Sequence, residues 1–310
     1  MSLDVVTLGI VCADVMVRPV EEFPERGKLD LVPHLEIHLG GLAGVTATVL
    51  CQLGAKAAFV GCVGEDGFGD YILHTLTAEG VDIGHVRRTA EARSSATVVL
   101  VGGDGERTFL HHIGTNALVS QDDVDLDFVC AAKVLHWGGP SVTPGLDGAP
   151  IGRIFEKVRA KGVKTSMDTC FDGQGVWRPH IEHALPHLDV IMSSLEEARH
   201  YSGQETPEAI ADFYRSFGVD TAVIKLGADG LFVKNAHEAH HLPAHRVTVV
   251  DTTGAGDAAC AGFLYGYTHD WDVLQCGRLA NAVGGLTVQQ MGGAEAIRSL
   301  EETLAFMEGV

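Results

Sequence analysis

Short apolar runs bounded by glycine or aspartate alternate with longer amphipathic windows along nearly the whole chain, and this rhythm restricts the fold more than any other feature. Continuous apolar runs suit strands buried on both faces, while windows with apolar residues at helical spacing suit the helices that cover them. The runs predict strands at Val5 to Val11, Ala57 to Val63, Lys133 to Trp137, Lys164 to Asp168, Val190 to Ser193, Thr221 to Leu226 and Leu231 to Lys234. The windows predict helices over Gly44 to Leu53, Gly69 to Glu79, Ile151 to Lys161, Leu195 to Ser202, Pro207 to Gly218, Gly256 to Thr268 and Trp271 to Gln290. Gly54, Gly80, Gly162, Gly203 and Gly218 stand where helices should stop. The expected class is α/β, a doubly wound, mainly parallel sheet with helices on both faces.

Two segments depart from the rhythm. Met16 to Leu39 is long, proline-containing and strand-like, and Ser94 to His112 alternates in β fashion around a GDGE hairpin turn. Each leaves and rejoins the α/β core, so they are expected to pair into a small β-sheet lid formed by about 15–39 and 93–113. At 310 residues the chain reads as one domain, 1–310, with the lid inserted in its core.

A formal charge of −19 argues against nucleic-acid and anionic-membrane partners, which select basic patches. No uncharged apolar stretch approaches the ~20 residues that cross a bilayer. The N-terminal MSLDVVTLGIVCADV lacks a basic leader pattern and reads as a first strand. Seven cysteines with no CxxC pair suit reduced thiols in a cytosolic protein, packed and inert, and Cys170 in a loop-like DTCFDG is read the same way.

The chemistry concentrates at Asp251 to Gly262, DTTGAGDAACAG, between a β-branched run, HRVTVV, and a helix-like segment. A strand, a tight glycine turn and a helix start make an anion site, because the amides of Gly254, Ala255 and Gly256 would point unsatisfied from the first helical turn. Asp257 is then out of place beside a phosphate unless it takes a proton from an attacking hydroxyl. That combination describes a phosphotransferase.

The residues also resemble those of the ribokinase family of sugar kinases, the PfkB group, over nearly the whole length. The pieces are GIVCAD at 9–14, GGLAGVTA at 40–47, LGAKAAFVGCVGEDGFGD at 53–70, GERT at 105–108, SLEEA at 194–198, KLGADG at 225–230, DTTGAGDAACAGF at 251–263 and ANAVGGLTVQQMG at 280–292. Any one glycine motif alone is weak; the set is specific. The resemblance implies a ribokinase-like fold in which ATP donates its γ-phosphoryl group to a hydroxymethyl group of a sugar or sugar derivative. Asp257 falls on the family's catalytic base, and Gly254, Ala255 and Gly256 on its anion hole.

The same carry-over implies nucleotide contacts at Lys225, Gly227, Gly230 and Asn281, although an ordinary hairpin lysine and an Asn bonded to local backbone would read identically. Glu197 matches the acid that organises Mg2+, with Ser194 where Asn is usual, and a plain solvated helix residue is its ordinary alternative. Asp251 and Thr253 match positions near a site for K+ or another monovalent cation.

On the acceptor side, Asp14 is expected to end the first strand and accept sugar hydroxyls, and Gly40 and Gly41 to let the sugar approach the backbone. Arg107 is expected to reach over the acceptor from the lid, or else to sit solvated opposite Glu106. Valine replaces the family's sugar-gripping Asn at position 45, which disfavours an ordinary ribose-like or nucleoside-like acceptor and leaves a modified or acidic ketose open. The lid histidines 34, 38, 111 and 112 read as pocket or surface residues, and Asp168 and Asp172 as loop aspartates outside the core site. The alternatives are a nucleoside kinase and a catalytically silent nucleotide-binding regulatory module; a dinucleotide reading of GCVGEDGFG fails on glycine spacing. A homodimer through the lid is expected.

Overall fold

The computed structural model describes residues 3–103 and 107–309. In chain order the strands are β1 (Leu3–Gly9), β2 (Cys12–Arg18), β3 (His34–Gly40), β4 (Ala57–Gly64), β5 (Val86–Thr89), β6 (Ala96–Val101), β7 (Arg107–His112), β8 (Ala132–Gly138), β9 (Lys164–Asp168), β10 (Val190–Ser194), β11 (Thr221–Lys225), β12 (Leu231–Lys234) and β13 (Ala239–Leu242). The helices are α1 (Leu42–Gln52), α2 (Gly67–Ala78), α3 (Leu126–Val129), α4 (Ala149–Ala160), α5 (Arg178–Ile181), α6 (Leu195–Ser202), α7 (Pro207–Ser216), α8 (Ala255–Thr268), α9 (Val273–Thr287) and α10 (Leu300–Glu308).

Among the described residues one sheet has nine strands in the order β13-β12-β11-β10-β9-β8-β1-β4-β5. It is parallel from β11 to β5, and β12 and β13 add an antiparallel edge. Alternate residues feed opposite layers: Val5, Val134, Val190 and Val223 pack with α1, α8 and α9, whereas Val6, Leu135, Ile191 and Ile224 pack with α4, α6 and α7. That two-sided burial is why these strands read as unbroken apolar runs. Among the described residues no helix is long and apolar enough to cross a membrane.

The second sheet runs β3-β2-β6-β7 and is the lid. β2 pairs with β3 antiparallel and with β6 parallel, and β6 pairs with β7 antiparallel. The expected GDGE turn falls mostly on 104–106, outside the described residues. Met16 to Leu39 is not one strand: residues 19–33 between β2 and β3 carry no regular structure.

The first strand is also shorter than its apolar run. The ladder between β1 and β8 closes at Gly9 against Gly138, and by Cys12 the chain has joined β3 of the lid. The return path crosses close by. Gly41 has φ +90°, and a Cβ there would lie 2.6 Å from the Val11 Cα, so only glycine lets the two crossing backbones touch. Asp14 therefore belongs to a lid strand and does not end β1.

Candidate active site

The segment 251–254 forms a loop that leads into α8, but the expected strand before it is absent. Residues 243–249 carry no regular structure and no sheet pairing, and Val249 and Val250 are exposed. Sheet growth ends at β13, so the HRVTVV run lies along α9 instead. The Val250 amide donates to Val288 O at 2.7 Å, and Asn281 Nδ2 donates to Pro243 O at 2.6 Å.

Gly254 is the N-cap of α8, left-handed at φ +70°, and no side chain caps the helix. A Cβ at this position would lie 2.5 Å from the Gly293 Cα, so both conformation and space require glycine. No side chain takes the first-turn N–H groups of α8 at the positive end of the helix dipole, while the Ala255 N–H turns back to Thr252 O at 3.4 Å. Ala255, Gly256 and Asp257 line a cleft of about 1110 Å³ that also takes in Asp168, Glu197 and Lys225.

Asp257 sits in a dense field of charge. Burial and the neighbouring carboxylates of Asp168, Glu197 and Asp14 push its carboxyl up to about 7, against the pull of Lys225. Lys225 Nζ bonds both Asp168 oxygens at 2.7 Å and lies beside the Cys260 sulfur at 3.7 Å. Burial disfavours the Lys225 charge, yet the surrounding acids outweigh it and hold the ammonium protonated. Burial raises the Asp168 carboxyl, and Lys225 offsets part of that rise. Asp168 is thus part of the site although the sequence reading set it aside. Its place at the C-terminal end of a parallel strand was the signal, and its pairing with Lys225 two strands away was not visible in sequence. Asp172, by contrast, accepts from the Gln174 and Trp177 amides and ties its own loop.

The other positions on the nucleotide side divide. Lys225, Gly227, Gly230 and Asn281 all line the cleft. A Cβ on Gly227 would meet nothing within 4 Å, whereas one on Gly230 would collide with Leu242 O, so Gly230 answers to packing on β13. Ser194 caps α6 by accepting from the Glu197 amide at 3.3 Å, and Glu197 reaches back to the Ser194 amide at 3.4 Å. This capping box gives both residues a structural task. Glu197 also accepts from Thr169 at 2.6 Å, and burial lifts its carboxyl. Cys170 is inert, because burial and the nearby carboxylates push its thiol up.

A metal bound mainly by nucleotide phosphates fits this donor set. Among the described residues no three His, Cys, Asp or Glu side chains are grouped to hold an ion, and Mg2+ commonly uses one or two carboxylates plus phosphate oxygens and waters. Asp251 is occupied by its own loop: Oδ1 accepts from the Thr253 amide at 2.9 Å and hydroxyl at 2.7 Å, and Oδ2 from the Gly292 amide at 3.2 Å.

On the lid side, Asp14 is buried, and burial raises its carboxyl against the hydrogen bonds of Cys12 and Thr97. Gly40 lies directly against the Asp14 carboxylate, which a Cβ there would strike. Gly41 likewise serves the crossing at Val11. Val45 is buried in the layer of α1 and α8. Arg107 reaches from β7 to the loop before α8, donating to Thr253 Oγ1 at 2.9 Å with Asp251 Oδ1 at 3.7 Å. A second tie joins lid and loop: His38 Nδ1 meets Glu295 at 2.9 Å, and Gly292 lies directly against the His38 ring.

The profile of the pfkB family of carbohydrate kinases matches residues 2–300. An uncharacterized sugar kinase of Archaeoglobus fulgidus is 30% identical over 249 residues, spanning 80% of this chain and 97% of its own. A fructokinase of Klebsiella pneumoniae is 31% identical over 249 residues, spanning 77% and 81%. An Arabidopsis thaliana ribokinase solved with ribose and ATP superposes with a TM-score of 0.85 at 24% identity over the full length of both chains, a likeness of fold.

Proposed function

The chain belongs to the pfkB family of carbohydrate kinases, and from that premise we propose that it moves the γ-phosphoryl group of ATP to a hydroxymethyl group of a sugar, with Asp257 as the base. One observation carries the assignment: a buried carboxyl pushed up to about 7 stands in the first turn of α8, whose amides no side chain caps. A base with a pKa near the working pH combines the right protonation state with adequate proton affinity. The amides of Gly254, Ala255 and Gly256 would receive the transferring phosphoryl oxygens, that of Ala255 on leaving Thr252 O.

Nucleotide contacts are assigned to Lys225, Gly227, Gly230 and Asn281, supported by their shared cleft. Glu197 and Asp251 are the acids assigned to cations, Glu197 through water near Mg2+ and Asp251 by shaping a loop whose carbonyls would hold K+ or a similar ion. Mg2+ would neutralise phosphate charge as it develops. Asp14, Gly40, Gly41 and Arg107 are assigned to the acceptor side. Seven unpaired cysteines support a cytosolic setting. The outer face of the lid, with Leu35 66% and Leu110 56% exposed, supports a homodimer through that face.

The test is ADP release over ketoses, aldoses, sugar acids and nucleosides, with Asp257→Asn as control. The expected result is turnover of a sugar that falls ~10²- to 10⁴-fold in the variant with little change in the KM for ATP. Near-normal turnover by Asp257→Asn removes the base assignment, and turnover of nucleosides alone removes the sugar.

A further inference from the structure

Four polar residues line up across the lid. Asp14 on β2 pairs directly with His38 on β3 and with Thr97 on β6, and Thr97 pairs with His111 on β7. Residues paired in this way share a face. That face is turned to the cradle, because Arg107, four residues before His111 on β7 and so on the same side, donates to Thr253 in the loop before α8.

The two imidazoles beside Asp14 differ. Both nitrogens of His38 are engaged, Nδ1 by Glu295 at 2.9 Å and Nε2 by Glu36 at 3.2 Å. His111 has one contact, Nδ1 to Thr97 Oγ1 at 3.1 Å, and its side chain is exposed. The Thr97 hydroxyl donates to the Cys12 sulfur at 3.8 Å. A hydroxyl has a single proton to give, so the Thr97 oxygen accepts from Nδ1–H of His111. The network therefore assigns the lone pair of neutral His111 to Nε2, without a protein partner among the described residues.

Resting on the sugar-kinase reading, we propose that His111 Nε2 accepts a second hydroxyl of the sugar whose first hydroxyl binds Asp14, with Thr97 as the positioning residue. Two acceptor-only groups on one wall select a neutral polyhydroxylated sugar and reject an acceptor that presents a carboxylate there. Partial desolvation under the lid lowers the His111 pKa against the pull of Asp14, in the direction of the neutral ring.

Steady-state kinetics on full-length wild type, His111→Phe and His111→Gln decide it, using the wild type's best acceptor, its deoxy analogues and its sugar-acid counterpart. His111→Phe is expected to raise the acceptor KM about tenfold, with kcat and the ATP KM changed less than about twofold. His111→Gln, whose amide oxygen accepts, recovers most of the loss. One deoxy analogue should cost the wild type about tenfold and the Phe variant nothing further. An unchanged acceptor KM in His111→Phe, a matching rise in its ATP KM, or a wild-type preference for the sugar acid each overturns the proposal while leaving the kinase reading intact. Wild-type turnover of no acceptor overturns both.

Discussion

Asp257 carries a cost that the proposed role as base explains. Its carboxyl is pushed up to about 7 by burial first and then by Asp168, so at neutral pH the fold holds a charge it would prefer to neutralise. A carboxyl raised on folding contributes stability below its unfolded value, and that contribution is lost as pH rises through about 7. Two outcomes are expected. The kcat/KM profile should show an acidic limb near pH 7, activity falling as the base is protonated. Asp257→Asn should melt at a higher temperature than wild type at pH 8, with the difference shrinking toward pH 4; a lower Tm at pH 8 would contradict the cause given for the shift. The sequence revealed this residue because a carboxylate beside a glycine turn is chemically conspicuous. Its neighbours were less legible, since the Asp168–Lys225 pair joins β9 to β11 across β10 and leaves no local pattern.

At the scale of elements, helices whose apolar stripe faces one layer were readable from spacing, and the five glycines expected to end helices all stand just past one. Strands buried on both faces were readable as apolar runs and the β6–β7 hairpin from its alternation, whereas the short edge strands β5 and β13 were not. Asp14 was read as the end of the first strand although it lies in β2, because nothing in GIVCAD marks the passage from main sheet to lid. The run 245–250 has β-branched residues but no partner strand, and propensity without a neighbour does not make a sheet. Ser194 and Glu197 show the same ambiguity in reverse, one motif serving as a helix cap and as a cleft wall. In the proposed mechanism the backbone at the start of α8 is the working part. Gly254→Ala forces a left-handed alanine toward the Gly293 Cα, a strain of roughly 1–2 kcal/mol before any clash. Urea unfolding should register that loss. Turnover should fall by ~10²-fold or more if an oxyanion donor moves with it, and wild-type kcat in this variant would show the amide placement to be unimportant.

For the whole molecule, the lid has two faces with different fates. Arg107, His38 and Asp14 turn inward, while Leu35, Ile37 and Leu110 are left in solvent, an apolar wall flanked by the edge strands β3 and β7. Burial of this wall against a second copy should give a dimer by light scattering. Leu35→Glu together with Leu110→Glu should give a monomer, because a charge at the centre of such a contact is left unpaired. A wild-type monomer at micromolar concentration would end the dimer reading.

The short stretch 292–295 joins the lid to the start of α8, the two sides assigned above to sugar and phosphate: Gly292 and Glu295 meet His38 of the lid, Gly292 holds Asp251, and Gly293 backs Gly254. Whichever co-substrate arrives first therefore settles this hinge-like strip for the other, and each ligand should tighten the grip on its companion. Initial-rate plots at varied sugar and ATP should then intersect left of the axis above the baseline, whereas an intersection on the baseline would mean that the two halves ignore one another.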